Sequence, residues 1–186
     1  TTRRGKEGKP VVNARAEYGM LSPTKMPKMA NISQFMKLYN DVYSDANNGQ
    51  LAYSPEDQEK YLSGVDPDLF PNVDWLGTIY KNHTTNFRVN VNVSGGSKLI
   101  NYYVAGSVYK ENGMYNAIES PEYNPALNWM RYNFRSNVDI NISKSTVLNV
   151  NLSNQYDKKN KPDSDEIWIY SFQMIPNAVP LEYSDG

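Results

Sequence analysis

The chain has 186 residues, with 19 lysines and arginines against 20 aspartates and glutamates, so its net charge is near zero. This balance gives no electrostatic footprint for nucleic acid or for an anionic membrane surface. Cysteine is absent, which excludes a disulfide scaffold and cysteine-based zinc sites, and no apolar run of about 18 residues predicts a transmembrane helix.

The first part of the chain predicts a connector and one strand. Residues 1–9 are basic and rich in glycine, as connectors often are. Residues 11–19 alternate between apolar and polar side chains, which predicts a strand. The long connection over residues 20–85 then begins with two prolines.

Helix signals follow within that connection. Apolar residues recur at helical spacing over residues 31–47, where Asn31 or Ser33 is the expected cap. Ser54 is followed by a proline, a typical helix start, and Gly64 should end this second helix.

Period-two alternation predicts four more strands in the second half of the chain. They cover residues 86–94, 99–110, 130–142 and 146–156. We expect a tight turn at residues 94–97, because its two glycines can supply the positive φ that hairpins need. Another short turn is expected at residues 143–145, whereas the loops 111–129 and 157–186 are long.

The fourth strand shows why a membrane is expected. One face carries apolar side chains: Tyr132, Phe134, Val138, Ile140 and Ile142. The other face is polar, and an arginine such as Arg135 facing hydrocarbon near mid-membrane would cost about 2–4 kcal/mol. The polar face should therefore point into a wet lumen. Ten tilted strand residues rise roughly 23 Å, close to the roughly 25 Å apolar band of outer-membrane barrels.

These patterns together predict an all-β fold. We expect antiparallel strands of a large transmembrane β-barrel, present in part as about five strands, with short helices in long extracellular loops. Short and long connections alternate along the chain, as they do in such barrels.

The polar face supplies the candidate site. Eight residues are predicted to face the lumen: Arg131, Asn133, Arg135, Asn137, Asp139, Asn141, Asn149 and Asn151. They either hydrate the lumen and bond to a plug, or touch transported solute. Tyr123 and Trp129 are candidate contacts for sugar or peptide, because aromatic faces suit such ligands.

No catalytic constellation is present in the sequence. His83 is the only histidine, and it has no cysteine or carboxylate cluster near it in sequence. The acids around Asp66 and Asp163 lack the spacing of a calcium loop. We therefore expect no enzyme activity, no cofactor and no metal site, and we leave open whether the loops bind calcium.

Five segments of the sequence resemble the SusC/RagA-type TonB-dependent outer-membrane transporters of the Bacteroidota. PNVDW is similar to a signature in the family's first extracellular loop, and RYNFRSNVD is similar to its fourth barrel strand. The five segments are residues 1–8, 71–75, 91–115, 131–153 and 168–186.

The resemblance implies a domain organisation and a function. Residues 1–9 would be the end of the plug domain and its linker, and residues 10–186 the N-terminal part of a 22-stranded barrel in the outer membrane. The family imports oligosaccharides or peptides with a SusD-like surface lipoprotein, and TonB acts through the plug, which is absent here. We therefore expect outer-membrane lipid as a partner and no nucleic acid.

Family members are several times longer than this chain, and five strands cannot close a barrel, so we expect the chain to be part of a larger protein. Two rival hypotheses remain. One is a soluble secreted β-domain that binds glycans. The other is a β-rich enzyme, which the missing histidine and cysteine chemistry disfavours.

Overall fold

The computed structural model describes residues 3–116, 126–161 and 164–184 of the chain. Its backbone contacts divide the chain into two compact units. The first unit comprises Thr1–Ser22 and His83–Pro162, and the second comprises Pro23–Asn82 and Asp163–Gly186. The first unit holds the sheet and the second holds the helices. The predicted boundary after residue 9 between plug and barrel stays a prediction.

The sheet consists of five antiparallel strands in chain order, each hydrogen-bonded to the next. The strands are β1 (Gly8–Leu21), β2 (Thr84–Gly96), β3 (Ile100–Asn112), β4 (Asn128–Ser143) and β5 (Thr146–Asn160). The predicted all-β fold with five antiparallel strands and short helices in the long connections is confirmed. Most strands extend further than the sequence predicts, because ladder hydrogen bonds continue through residues whose side chains no longer alternate.

The turn between β2 and β3 differs from its prediction. Gly95 pairs with Tyr102 inside the ladder, and the turn lies one step later, where the Ser97 N–H donates to the carbonyl oxygen of Ile100 at 2.7 Å. Neither glycine at positions 95 and 96 has positive φ. The expectation that glycine supplies the turn conformation is therefore wrong. Instead, a Cβ at residue 95 would lie 3.1 Å from the Cα of Pro10, so the glycine permits close packing.

The register gives the sheet one apolar and one polar face. On the even-numbered face of β4, Tyr132, Val138 and Ile140 lie opposite apolar or aromatic partners, as where Val108 pairs with Tyr132 and Tyr132 pairs with Tyr156. The apolar face is exposed: Phe134 is 48% and Leu152 57% accessible. In the described residues, the apolar side chains that are buried all belong to the second unit, namely Ile32, Met36, Leu76 and Tyr80.

The described part of the second unit contains four short helices. They are α1 (Ile32–Ala46), α2 (Pro55–Ser63), α3 (Trp75–Ile79) and α4 (Ser164–Ser171). The cap of α1 is Asn31, whose side-chain oxygen accepts from the Gln34 N–H at 2.9 Å. Ser54 caps α2, and Gly64 ends that helix with φ of 64°, as predicted. No described helix has the length and apolar character needed to cross a membrane.

Long-range hydrogen bonds join the two separate segments of the second unit. The indole N–H of Trp75 donates to the carbonyl oxygen of Ile175 at 3.0 Å, and the Val73 N–H donates to that of Pro176 at 2.8 Å. Tyr53 is a further meeting point, because its hydroxyl accepts from the Asn177 amide at 2.8 Å. The PNVDW segment therefore serves to hold the last loop.

Candidate functional site

The polar face of the sheet is the surface on which the candidate residues meet. In β4 and β5 it comprises the odd-numbered residues, and the register extends it across all five strands. One transverse row, for example, runs through Glu17, Arg88, Tyr109, Arg131 and Asp157. Alternation along each strand and pairing between strands together produce this continuous polar surface.

The structure brings all eight predicted polar residues onto this one face. Asn133 donates to the hydroxyl of Ser107 at 3.2 Å, and Asn141 donates to the carbonyl oxygen of Lys98 at 2.8 Å. Arg135 lies opposite Ser153, and Asn151 is exposed on the last strand. That these residues face a lumen stays a prediction.

The N-terminal segment lies against the polar face and bonds to three of the predicted residues. Asn137 is only 3% accessible and donates to the carbonyl oxygen of Arg3 at 2.7 Å. The Arg4 guanidinium forms an ion pair with Asp139 and also donates to the side-chain oxygen of Asn149 at 3.0 Å. The polar face therefore holds the segment through both charge and backbone hydrogen bonds.

Gly5 allows that segment to approach the sheet closely. A Cβ added at this position would lie 2.6 Å from the carbonyl oxygen of Gly95 and closer still to the backbone of Tyr102. Backbone atoms in a ladder cannot move aside without breaking hydrogen bonds. A larger residue at position 5 would therefore lift the segment from the sheet.

Trp129 lies in a cluster of charged and aromatic side chains at one end of β4. Its indole N–H donates to Asp157 at 3.0 Å, and the ring of Tyr109 meets it edge-on with centroids 5.3 Å apart. The charged groups of Arg131 and Lys159 lie 4.5 and 4.9 Å from its ring centroid. Trp129 is thus surrounded by partners from its own sheet, and its contact with a solute stays a prediction. Tyr123 lies outside the described residues.

Asp157 is also the partner that neutralises Arg131. The Arg131 Nε lies 2.7 Å and its Nη2 3.2 Å from the two carboxylate oxygens. This two-point geometry is the strong form of an arginine–carboxylate pair. The sequence analysis did not select Asp157, although it has the same parity along β5 as Asn149 and Asn151, and this parity could have found it.

A concavity of about 760 Å³ opens on the polar face. Its lining includes Arg3, Arg15, Arg88 and Arg135, together with the carboxylate of Glu17. Of these five, the sequence analysis selected only Arg135. The remaining four come from β1, β2 and the N-terminal segment. Alternation within a strand indicates which face a residue is on, but it does not indicate which residues of other strands lie beside it.

Across residues 3–116, 126–161 and 164–184, no three histidine, cysteine or acidic side chains come together to hold a metal ion. His83 lies exposed between α3 and β2.

Comparisons with known proteins were made by family model, by curated sequence and by solved structure. No family model and no curated protein matches the chain. Among the solved structures it is similar to the RagAB peptide importer in its "closed-closed" state (TM-score 0.61), to the RagAB peptide transporter (0.61) and to the importer in its "open-open" state (0.63).

Each of these matches has 19% sequence identity and covers 87% of this chain, which spans only 19% of the length of the matched chain. Identity this low shows the fold alone. The chain therefore has the fold of a segment that also occurs in chains of a peptide importer.

Proposed function

We propose that the chain is part of an outer-membrane, TonB-dependent importer of oligosaccharides or peptides, whose five strands span the membrane. The observation that carries this proposal is the uncovered apolar face of the sheet. Val12, Phe134 and Leu152 on that face are 66%, 48% and 57% accessible. An apolar surface that continues across a whole sheet is unfavourable in water. The hydrocarbon of a membrane can cover it without any specific partner.

The opposite face supports the same proposal. It is polar in every strand and binds the N-terminal segment through Asn137 and Asp139. A face of this chemistry suits a lumen partly filled by preceding protein, as the resemblance to SusC/RagA-type transporters implies. The similarity to chains of the RagAB peptide importer favours peptides among the two solute classes. A SusD-like surface lipoprotein would deliver the solute, and TonB would supply energy through the plug.

The chain itself contains no cysteine, so a single introduced cysteine reports on its own position once any cysteines elsewhere in the reading frame are replaced. Single cysteines placed in turn along β5, from position 148 to 155, can each carry a nitroxide label in the protein expressed from its full reading frame in membranes. We expect accessibility to oxygen to peak at even positions and accessibility to a water-soluble nickel complex to peak at odd positions. Equal access of the nickel complex to both sets would refute the membrane-spanning sheet.

Transport itself requires a separate measurement. Uptake of labelled peptides and oligosaccharides by cells should depend on the gene and should stop when the proton-motive force is abolished. A protein that stays in the soluble fraction and binds glycans without detergent would instead support the secreted β-domain.

A further inference from the structure

Arginines are concentrated on the polar face, and some of them are neutralised there. Arg4 pairs with Asp139, and the Arg131 Nε lies 2.7 Å from a carboxylate oxygen of Asp157. Arg15 lies 2.5 Å from a carboxylate oxygen of its strand neighbour Glu17. These three arginines have their counterions within the sheet and its N-terminal segment.

Three other arginines have no such counterion. Arg3, Arg88 and Arg135 form no ion pair with any carboxylate in the part of the chain that the structure describes. Arg88 lies over the ring of Tyr109, with 4.9 Å between its guanidinium carbon and the ring centroid. That contact holds the side chain in place but leaves its charge uncompensated.

All three unpaired arginines line the same concavity of about 760 Å³. The polar groups between them are neutral hydrogen-bonding side chains, such as Asn92, Asn133 and Gln155. Among the described lining residues, Glu17 supplies the only carboxylate, and Arg15 already neutralises it. The concavity therefore has a net positive charge and many side-chain amide donors.

A guanidinium group presents a planar fork of N–H donors that matches the two oxygens of a carboxylate. A concave surface lined by charge of one sign also concentrates counterions of the other sign. We propose that this concavity binds a carboxylate group of the transported solute, through Arg88 and Arg135 with Arg3 at its margin. The inference rests on the proposed function and narrows its solute class to carboxylate-bearing molecules. Acidic peptides and uronate-containing oligosaccharides share this group.

The test uses matched pairs of probes and matched pairs of variants. The probes are a glutamate-containing peptide with acetylated N-terminus and amidated C-terminus and its equally blocked glutamine counterpart, and a uronate oligosaccharide and its neutral counterpart. The variant Arg88→Gln with Arg135→Gln removes two charges from the polar face. The control, Lys110→Gln with Lys158→Gln, removes the same charge from the apolar face of the same sheet. Binding is measured on the protein expressed from its full reading frame and purified in detergent.

The wild-type protein should bind at least one carboxylate probe about tenfold or more tightly than its neutral counterpart, since hydrogen bonds to charged groups contribute about this factor. The preference should disappear in the arginine variant, survive in the lysine control and weaken as salt is added. If the peptide pair shows the preference, the solute is an acidic peptide, and if the oligosaccharide pair shows it, the solute contains uronate. Arg135→Lys keeps the charge and should retain part of the preference, which separates loss of the site from misfolding.

Two results would overturn the proposal. One is equal affinity of the wild-type protein for carboxylate and neutral probes in both pairs. The other is an unchanged preference in the arginine variant. If that variant keeps the preference and loses only stability, another part of the protein occupies the concavity. Neither result bears on the alternating accessibility along β5, so failure of this inference is distinguishable from failure of the proposed function.

Discussion

Arginine placed at Leu152 gives a direct test of which face of the sheet meets lipid. Leu152 is on the apolar face of β5 and is 57% accessible, whereas its neighbour Asn151 is on the polar face. The substitutions Leu152→Arg and Asn151→Arg place the same side chain one residue apart on one strand. The introduced side chain, its charge and its chain position are therefore matched, whereas the face to which it points differs.

The expected magnitude follows from the position of Leu152 along β5, which runs from Thr146 to Asn160. Leu152 is therefore six residues from the first end and eight from the second. A strand tilted near 45° rises roughly 2.3 Å per residue along the membrane normal, so Leu152 lies about 14 Å and about 18 Å from the two ends. Arginine near the midplane of the lipid face costs about 2–4 kcal/mol, a loss of roughly 30-fold to several hundred-fold in the folding equilibrium.

The assay is insertion of the protein, expressed from its full reading frame, into phosphatidylcholine vesicles across a urea series. Leu152→Arg should move the midpoint strongly to lower urea, and Asn151→Arg should change the free energy by less than about 0.5 kcal/mol. If the apolar face were in water, both positions would be exposed surface sites and both changes would be small. Equal effects of the two substitutions would therefore refute the assignment of this face to lipid.

Two further predictions concern the N-terminal segment and the helical unit. Gly5→Ala should release the segment from the sheet and speed tryptic cleavage within the first five residues, whereas Gly106→Ala, where a Cβ would meet nothing within 4 Å, should leave the cleavage rate unchanged. Ser54→Ala should destabilise α2 by about 1 kcal/mol, measured by amide hydrogen exchange, because it removes the cap. The hydrogen bond from the Ser54 hydroxyl lowers the pKa of Asp57 below its ordinary value of 3.8. The stability from this carboxylate is therefore present above pH 3.8 and is lost as the pH falls through the lowered value, and in Ser54→Ala the Asp57 pKa, followed by NMR, should rise towards 3.8.

Local patterns in the sequence were sufficient to predict the sheet and its two faces. Alternation depends only on residues two apart. The sequence alone therefore predicted that the eight polar residues between Arg131 and Asn151 share one face. The caps at Asn31 and Ser54 were equally local. Strand ends were not predictable to the residue, because Lys158 and Lys159 follow Asp157 in β5 and break the alternation.

The contacts of the candidate site depended on neighbours far apart in the chain. Arg4 meets Asp139 across 135 positions, and no periodic pattern indicates such a partner. Gly95 was interpreted as a turn residue. Its actual role is to allow close packing against Pro10, a contact that the sequence does not indicate. The concavity of the polar face likewise requires all five strands in register, because each strand supplies part of its lining.

The bonds that join the two segments of the helical unit have a consequence for the time course of folding. Trp75 bonds to a residue 100 positions later, and Asp68 accepts from the Ser184 N–H 116 positions later. The turns joining β2 to β3 and β4 to β5, by contrast, close within a few residues. The hairpins should therefore form first, and the two segments of the helical unit should pack together last, because contacts between residues far apart in the chain form slowly. The Val73 N–H has no access to the carbonyl oxygen of Pro176 until that residue has left the ribosome. A chaperone that binds the unfinished helical unit would therefore bind its first segment, Pro23–Asn82.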